Sequence, residues 1–483
     1  MSANHSQNLV KNTLIIAFGK VSTQFLTFLL LPLYTTYLAT SEFGTVDLAM
    51  TYVILLAPVV TLSLEAGIFR FLIDARNNID EQRRIISLVL QLVSLTTIIA
   101  TLIYFVVNFF VDIPYGFYIM GVIIATILSN ISLQIARGFG DNVKYAIGSM
   151  VSGVTAIIVN IFLIVVVKSG VKGMLIAAIL ANIACALYLF IALKLYRYID
   201  FRIRDRKLML QLLKYSMPLA PESASWWVVN AADRTIVSVL LGVTANGIYA
   251  VACRFPWIIN GLFSFFYMSW TESASVHIDK FSSSDRDRFF SKTMNASVKL
   301  FGSLGLVMIA GLPIVFNLFV GASFREASLY IPILIIGSFF NVVGGLYGAL
   351  YIAKKMTRQV MDTSMIAAAV SIIVSLVGVR FVGLFAPSIA MVIAFLAMTI
   401  YRHYGIKKYI AVQFEVKTFL VLVLLCAVAV TLYYMNTLSG NIANVAIIGV
   451  ATLVLNRSVV TVLWKGVLSK GQELTKRYRR VKA

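Results

Sequence analysis

Residues 85 to 111 read IISLVLQLVSLTTIIATLIYFVVNFFV, 27 positions without a charged side chain, directly preceded by Arg83 and Arg84. At ~1.5 Å of rise per residue, this run can cross a hydrocarbon core of ~30 Å as an α-helix. It is far longer than the ~10 residues of a transmembrane β-strand and shows no strict alternation, so a helix is the expected form. The rest of the chain resembles it. Of 483 residues, 60% are apolar or aromatic and 13% are charged, and the mean hydropathy is +0.90. Soluble domains carry about a quarter charged residues, so a water-soluble fold is excluded.

Runs of spanning length recur fourteen times, near 13–38, 46–73, 85–111, 115–137, 145–167, 173–195, 215–241, 246–271, 293–320, 328–352, 360–379, 384–402, 416–435 and 442–464. The expected fold is therefore an all-α polytopic membrane protein. With the N-terminus placed in the cytoplasm, the inner segments collect 31 Lys and Arg, while the outer connectors hold only Lys168, Lys172, Arg325 and Arg380. This asymmetry is the positive-inside signal and puts both termini in the cytoplasm. It also accounts for most of the net charge of +21 without nucleic acid, leaving membrane lipids as the partner that the basic inner face would attract. The first apolar run is too long for a signal peptide and leads straight into a second span.

Catalytic patterns are missing. There is no G-x-x-x-x-G-K-[ST] phosphate loop, His5, His277 and His403 lack metal-ligand spacing, and Cys185, Cys253 and Cys426 fall inside spans as small packing residues. Outer connectors such as 39–45 and 242–245 are too short to build a sugar-acceptor lobe. A transporter without cofactor or metal is expected, not an enzyme.

The chain matches itself at an offset of 203. Leu9, Lys11, Leu38, Gly44 and Ala49 fall on Leu212, Lys214, Leu241, Gly247 and Ala252, and Thr13 falls on Ser216. The copies start at the first and seventh spans, so they share one orientation, as parallel repeats do. The expected plan is a six-helix lobe at 1–197, a basic cytoplasmic linker at 198–214 with a short amphipathic helix, a second six-helix lobe at 215–405, and two additional helices with a basic tail at 406–483.

An ionised side chain at mid-bilayer costs at least ~2.5 to 3.5 kcal/mol, so each one calls for a reason. Six cations lie within spans or at their inner edges, namely Lys20, Arg70, Arg234, Arg254, Lys299 and Arg457, against the anions Glu65, Glu222 and Asp233. Lys20, Glu65, Glu222 and Lys299 form an inner layer, and Arg234 and Arg254 an outer one. Helical spacing puts Lys20, Gln24 and Thr27 on one face, Glu222, Trp226, Asn230 and Asp233 or Arg234 on a second, and Arg254, Trp257 and Gly261 on a third. Pro58, Pro218, Pro221 and Pro256 interrupt spans as bending points or static kinks. Structural ion pairs such as Lys20 with Glu65, or Arg234 with Asp233, explain part of the pattern equally well, and the tryptophans read as packing residues as readily as sugar platforms. The cation excess favours an anionic ligand, for which Arg offers bidentate hydrogen bonds. On that reading Lys20, Arg234, Arg254, Lys299, Gln24, Asn230, Trp226 and Trp257 bind substrate, and Glu65, Glu222 or Asp233 couples an ion.

Lys11-Asn-Thr, Pro32-Leu-Tyr-Thr-Thr-Tyr-Leu38, Glu42-Phe-Gly-Thr45, Asp233-Arg234, Leu241-Gly242 and Gly247-Ile-Tyr-Ala-Val-Ala252 together resemble the Wzx-type lipid-linked oligosaccharide flippases of the multidrug/oligosaccharidyl-lipid/polysaccharide exporter superfamily. Thr35 and Thr36 stand where relatives often carry Arg. The resemblance implies a flippase moving an undecaprenyl-pyrophosphate-linked oligosaccharide across a bacterial plasma membrane by alternating access, with polysaccharide polymerase and chain-length machinery as partners. Alternatives are a cation-coupled multidrug exporter, a peptidoglycan lipid-precursor flippase and, from another class, a membrane glycan polymerase or ligase. The charge asymmetry predicts that a fluorescent protein fused after Ala483 will glow, and that alkaline phosphatase fused there will be inactive. The reverse pattern would overturn the orientation.

Overall fold

The computed structural model describes residues 28–278, 282–457 and 461. Among them regular structure is helical throughout, and twelve helices are long and apolar enough to cross a membrane. In chain order the helices are α1 (Leu31–Tyr37), α2 (Thr40–Val60), α3 (Leu64–Asp74), α4 (Ile79–Phe110), α5 (Gly116–Gly138), α6 (Asn142–Asn160, continued by a π-helical turn Ile161–Val166), α7 (Gly170–Ala192), α8 (Arg206–Ser216), α9 (Leu219–Leu241), α10 (Val243–His277), α11 (Ser283–Phe319), α12 (Ile331–Ala353), α13 (Thr357–Val382), α14 (Phe385–Lys407), α15 (Val416–Met435) and α16 (Leu438–Leu455). The protein is an all-α polytopic membrane protein. Of the expected spans, the first lies largely outside the described residues. The seventh is α9, 23 residues long, whose polar and charged positions set it apart from the twelve.

Helix α4 contains the uncharged run from 85 to 110, with Val111 as its C-cap. Its N-cap is Asn78, whose side chain accepts the Glu81 N–H at 3.1 Å, with Asp80 and Glu81 favourably placed in the first turn. Ile85, Ile86, Leu88, Val89 and Val93 are buried, whereas Leu95, Ile98, Leu102, Val106 and Phe109 form an exposed apolar stripe at helical spacing. Such a stripe is intolerable in water and natural in lipid.

The prolines do not all act as expected. The second span breaks at Leu62 and Ser63, both left-handed (φ 53° and 55°), just beyond Pro58, and Ser63 N–H bonds back to the Pro58 carbonyl at 2.8 Å. Pro218 separates α8 from α9, Pro221 sits in the first turn of α9, and α10 runs through Pro256 as a single helix.

By contact the chain forms two compact units, Met1–Arg254 with Phe319–Ala327 and Ser364–Ala390, and Phe255–Leu318 with Ser328–Thr363 and Met391–Ala483. In the first, α5 packs on α7, α3 and α2. Helix α2 starts at Thr40 and α10 at Val243, 203 residues apart, and the two cross at Gly44 and Gly247. A Cβ at Gly44 would collide with the Val243 carbonyl, and one at Gly247 with the Thr40 carbonyl. Asn246, next to the second glycine, donates to the Gly44 carbonyl at 2.9 Å. Thr35 is buried, and its hydroxyl accepts the Gly321 N–H at 3.0 Å, which makes it a backbone anchor.

In the second unit, Ile410–Glu415 is a strap laid along α11. Asp287 accepts the Ala411 N–H at 3.1 Å, Ser291 the Gln413 N–H at 2.8 Å, and Asn295 the Glu415 N–H at 3.1 Å while donating to the Gln413 carbonyl at 2.9 Å. Four-residue spacing on the helix thus meets two-residue spacing on the strap. Beyond it α15 and α16 hold to the same unit, through Tyr433 OH to the Ser328 carbonyl at 2.8 Å and Asn456 to Ser303 at 2.8 Å. Arg402 is buried, donating to Thr363 Oγ1 and the Gly344 and Val360 carbonyls.

Gly44→Ala and Gly247→Ala should each destabilise the protein by roughly 1–3 kcal/mol, because the obstructing atoms are backbone. Gly311→Ala on α11, where a Cβ meets nothing within 4 Å, should not. Thermal unfolding in detergent compares them, and an unchanged melting temperature for both crossing variants would contradict the packing.

Candidate functional site

The charged groups converge on α2. Ala39 enters the helix extended, and its N–H donates to Glu42 Oε2 at 2.9 Å, a cap at the N3 position that fixes the helix start. Asp47 therefore lies seven residues inside α2, about 10 Å along its axis. Its carboxylate accepts from Arg234 Nε at 2.9 Å and lies 3.6 Å from the Arg254 guanidinium. Arg234 in turn stands 3.8 Å from Asp233, whose other oxygen accepts the Tyr249 hydroxyl at 2.6 Å. Helix α9 is pinned beside α2 by Trp227, whose indole N–H donates to the Thr51 carbonyl at 2.7 Å, and by Thr235, which donates to the Tyr52 hydroxyl at 3.2 Å.

The two arginines differ in access. The Arg234 and Asp47 side chains are 6% and 9% exposed, whereas that of Arg254 is 23% exposed. Removing either partner of a buried carboxylate–guanidinium pair leaves an uncompensated charge at a cost of about 3–5 kcal/mol. Arg234 is thus the structural centre of the cluster. Arg254 lies farther from Asp47 and is the more exposed of the two.

The structure brings Arg234, Arg254 and Asp233 together and adds Asp47, which the sequence reading passed over. With the second span expected near 46–73, Asp47 falls at its very start. The helix instead begins at Thr40, where the Ala39 N–H bond to Glu42 fixes its start. Counting Asp47 also changes the charge balance, because the cluster is two arginines with two aspartates.

Other expected site residues fall elsewhere. Lys299 pairs with Glu415 at 2.7 Å, at the end of the strap. That hydrogen bond, then one from Thr418, holds the Glu415 carboxyl below the usual carboxylate range. Glu65 lies in the first turn after the break in the second span, accepts the Thr61 hydroxyl at 2.6 Å, and lines a small cleft with Ala57, Ile127 and Asn130. Trp257 is half exposed on α10. Arg70 pairs with Asp74 at 2.6 Å on an exposed face. Lys20 and Gln24 lie outside the described residues, as do the side chains of Glu222, Trp226 and Asn230 on α9. Among the described residues no group of His, Cys, Asp and Glu is arranged to hold a metal ion.

Solved structures share this fold. A lipid II flippase MurJ in an inward closed conformation superposes with a TM-score of 0.70 at 17% identity, covering 94% of this chain and 100% of that one. An inward-facing multidrug resistance MATE family transporter of the MOP superfamily gives 0.68 at 12% identity, covering 81% and 98%. A MOP superfamily transporter from Pyrococcus furiosus, described as having a binding pocket of reverse polarity, gives 0.56 at 13% identity, covering 82% and 95%. A search of curated protein sequences gives no match. Residues 9–271 match the model of the family Polysacc_synt, polysaccharide biosynthesis protein. That match spans more than half of the sequence and includes every member of the Asp47 cluster, so the chain belongs to the Polysacc_synt family of polysaccharide biosynthesis proteins, built on the fold of the MOP-superfamily transporters.

Proposed function

We propose that this protein translocates an undecaprenyl-pyrophosphate-linked oligosaccharide from the inner to the outer leaflet of a bacterial plasma membrane, for export of a capsule, O-antigen or similar polymer. The observation that carries this reading is the paired-arginine cluster within a membrane transporter fold of the polysaccharide biosynthesis family. Fourteen spans in two six-helix lobes plus two further helices, with both termini cytoplasmic, give the cargo an alternating-access route. Lys20 receives the pyrophosphate near the cytoplasm and Arg254 receives it further out. Gln24, Asn230, Trp226 and Trp257 line the way for the sugars, and the polyprenyl tail stays in lipid. Lys299 joins the cargo contacts only where its bond to Glu415 opens.

At the cluster the cargo competes with a resident anion. Asp47 occupies the space between the two guanidiniums, so a phosphate reaching Arg254 replaces a loose carboxylate contact with a bidentate one. Arg234 keeps its bond to Asp47 and remains compensated. Anion movement outward across an inside-negative membrane is favourable by ~2.3 kcal/mol per charge per 100 mV, which suffices to drive export without ATP. Glu65, Glu222 and Asp233 are the carboxylates available to couple a proton or sodium ion.

A second reading, a peptidoglycan lipid-precursor flippase, is favoured by the end-to-end superposition on MurJ. It uses the same headgroup chemistry, and the family match over 9–271 favours the polymer repeat. A fluorescent polyprenyl-pyrophosphate glycan in proteoliposomes tests the common mechanism. Arg254→Gln should lower flipping ~10- to 100-fold, the loss of one hydrogen bond to a charged group worth ~1.5–3 kcal/mol, with normal folding. Arg234→Gln should also lose stability. Full flipping by both variants would rule out the cluster as a cargo site, and a covalently changed glycan would indicate an enzyme instead.

A further inference from the structure

The segment between α7 and α9 is strongly basic, and none of its charge enters the Asp47 cluster. Arg202, Arg204, Arg206, Lys207 and Lys214 are all exposed. The nearby acids are engaged, Asp200 with Arg83 at 3.1 Å and Asp205 as the N-cap of α8, accepting the Leu208 N–H at 2.9 Å. Nor is the segment a loose loop. Ser87 on α4 donates to the Tyr198 carbonyl at 3.0 Å and accepts the Asp200 N–H at 2.9 Å, and Gln91 donates to the Ile203 carbonyl at 3.3 Å.

Helix α8 is two-faced. Leu212 and Ser216 are buried towards α3, where Gly67 leaves room for the serine, and the Tyr215 ring meets Phe71 edge-on at 6.0 Å. Lys207, Leu210, Lys214 and Met217 recur at three- and four-residue spacing on the opposite side, with Leu210 54% and Met217 50% exposed. Phe201, 60% exposed, leads into them. Eleven residues are too few to span a bilayer, and large apolar side chains alternating with lysines suit neither bulk water nor a nucleic-acid backbone. They suit an interface, where the apolar groups enter the acyl boundary and the long cationic side chains reach up to the phosphates.

We propose that the exposed face of α8, with Phe201 and the preceding arginines, is a docking surface for anionic phospholipid headgroups. The cations are spread along residues 202–214 instead of converging on one point, which fits many separate headgroups better than the single pyrophosphate of a cargo lipid. The docking ties the first unit to the charge of the leaflet it meets, through a helix packed on α3 and leading directly into α9. In a cell the inference rests on the proposed orientation, which turns this face to the anionic inner leaflet.

The test places a nitroxide at Leu210→Cys in full-length protein carrying Cys426→Ala, since Cys185 and Cys253 are buried. Collision with a water-soluble nickel chelate is measured in lipid nanodiscs, where both faces meet solvent and orientation is irrelevant. Moving from phosphatidylcholine to discs with about a third phosphatidylglycerol should lower the nickel collision rate severalfold relative to a label at the exposed Arg358, and high salt should weaken the effect. Adding Arg206→Gln, Lys207→Gln and Lys214→Gln should restore the phosphatidylcholine value. Equal collision rates in both lipids would overturn the proposal, as would protection that appears only when polyprenyl pyrophosphate or a soluble protein is added.

Discussion

A peptide group placed in hydrocarbon has no water to bond with, and that constraint dictates most of this architecture. It makes the spans helical, and it confines every departure from helix to a place where other protein atoms take over. The second span breaks at Leu62 and Ser63 with Ser63 buried and its N–H returned to the Pro58 carbonyl. Two non-glycine residues in left-handed conformation cost roughly 1–2 kcal/mol each, so surrounding packing has to hold them there. The break sets Glu65 at the start of a new helix beside the cleft, a position that a continuous span would not provide.

The same low-dielectric surroundings organise the charges. A lone guanidinium at the depth of Arg234 would be prohibitive, and Asp47 and Asp233 make it tolerable. The arrangement is held from two directions, by the α9 contacts of Trp227 and Thr235 with α2 and by the glycine crossing of α2 and α10. A cation excess first suggested an anionic cargo. In the structure two aspartates balance the two arginines, and access to them is unequal, with Arg234 almost fully buried and Arg254 partly exposed.

Much of this was legible in the sequence because hydrocarbon penalises charge so heavily. The uncharged runs marked the spans, whereas the contact between Gly44 and Gly247, 203 residues apart, is one that neither residue signals alone. Arg234, Arg254 and Asp233 stood out for the same reason. Asp47 did not, since its significance depended on a helix start seven residues upstream. The strap was equally hidden. Its bonds join side chains at 287–295 to backbone groups more than a hundred residues later, and backbone groups leave no mark on composition. Lys299 looked like a lone buried cation because Glu415 lies on the far side of that connection.

The strap carries its own limit. Four residues of α-helix advance about 6.0 Å, and two residues of extended chain about 6.6 Å, so the two lattices nearly match, and the bond from Val412 N–H to the Ile410 carbonyl takes up slack at the first step. Rotation is less forgiving. At ~100° per residue, every fourth position turns ~40° around the helix, so from Asp287 to Lys299 the row of donors and acceptors sweeps through ~120°. Short side chains serve the first three rungs, and at the last the long side chain of Lys299 reaches the Glu415 carboxylate. Beyond Lys299 the row has turned away from the strap, and the chain has to leave it. Helix α15 starts there, at Val416, so the point where the connector ends and the next span begins is set by the pitch of a helix more than a hundred residues earlier.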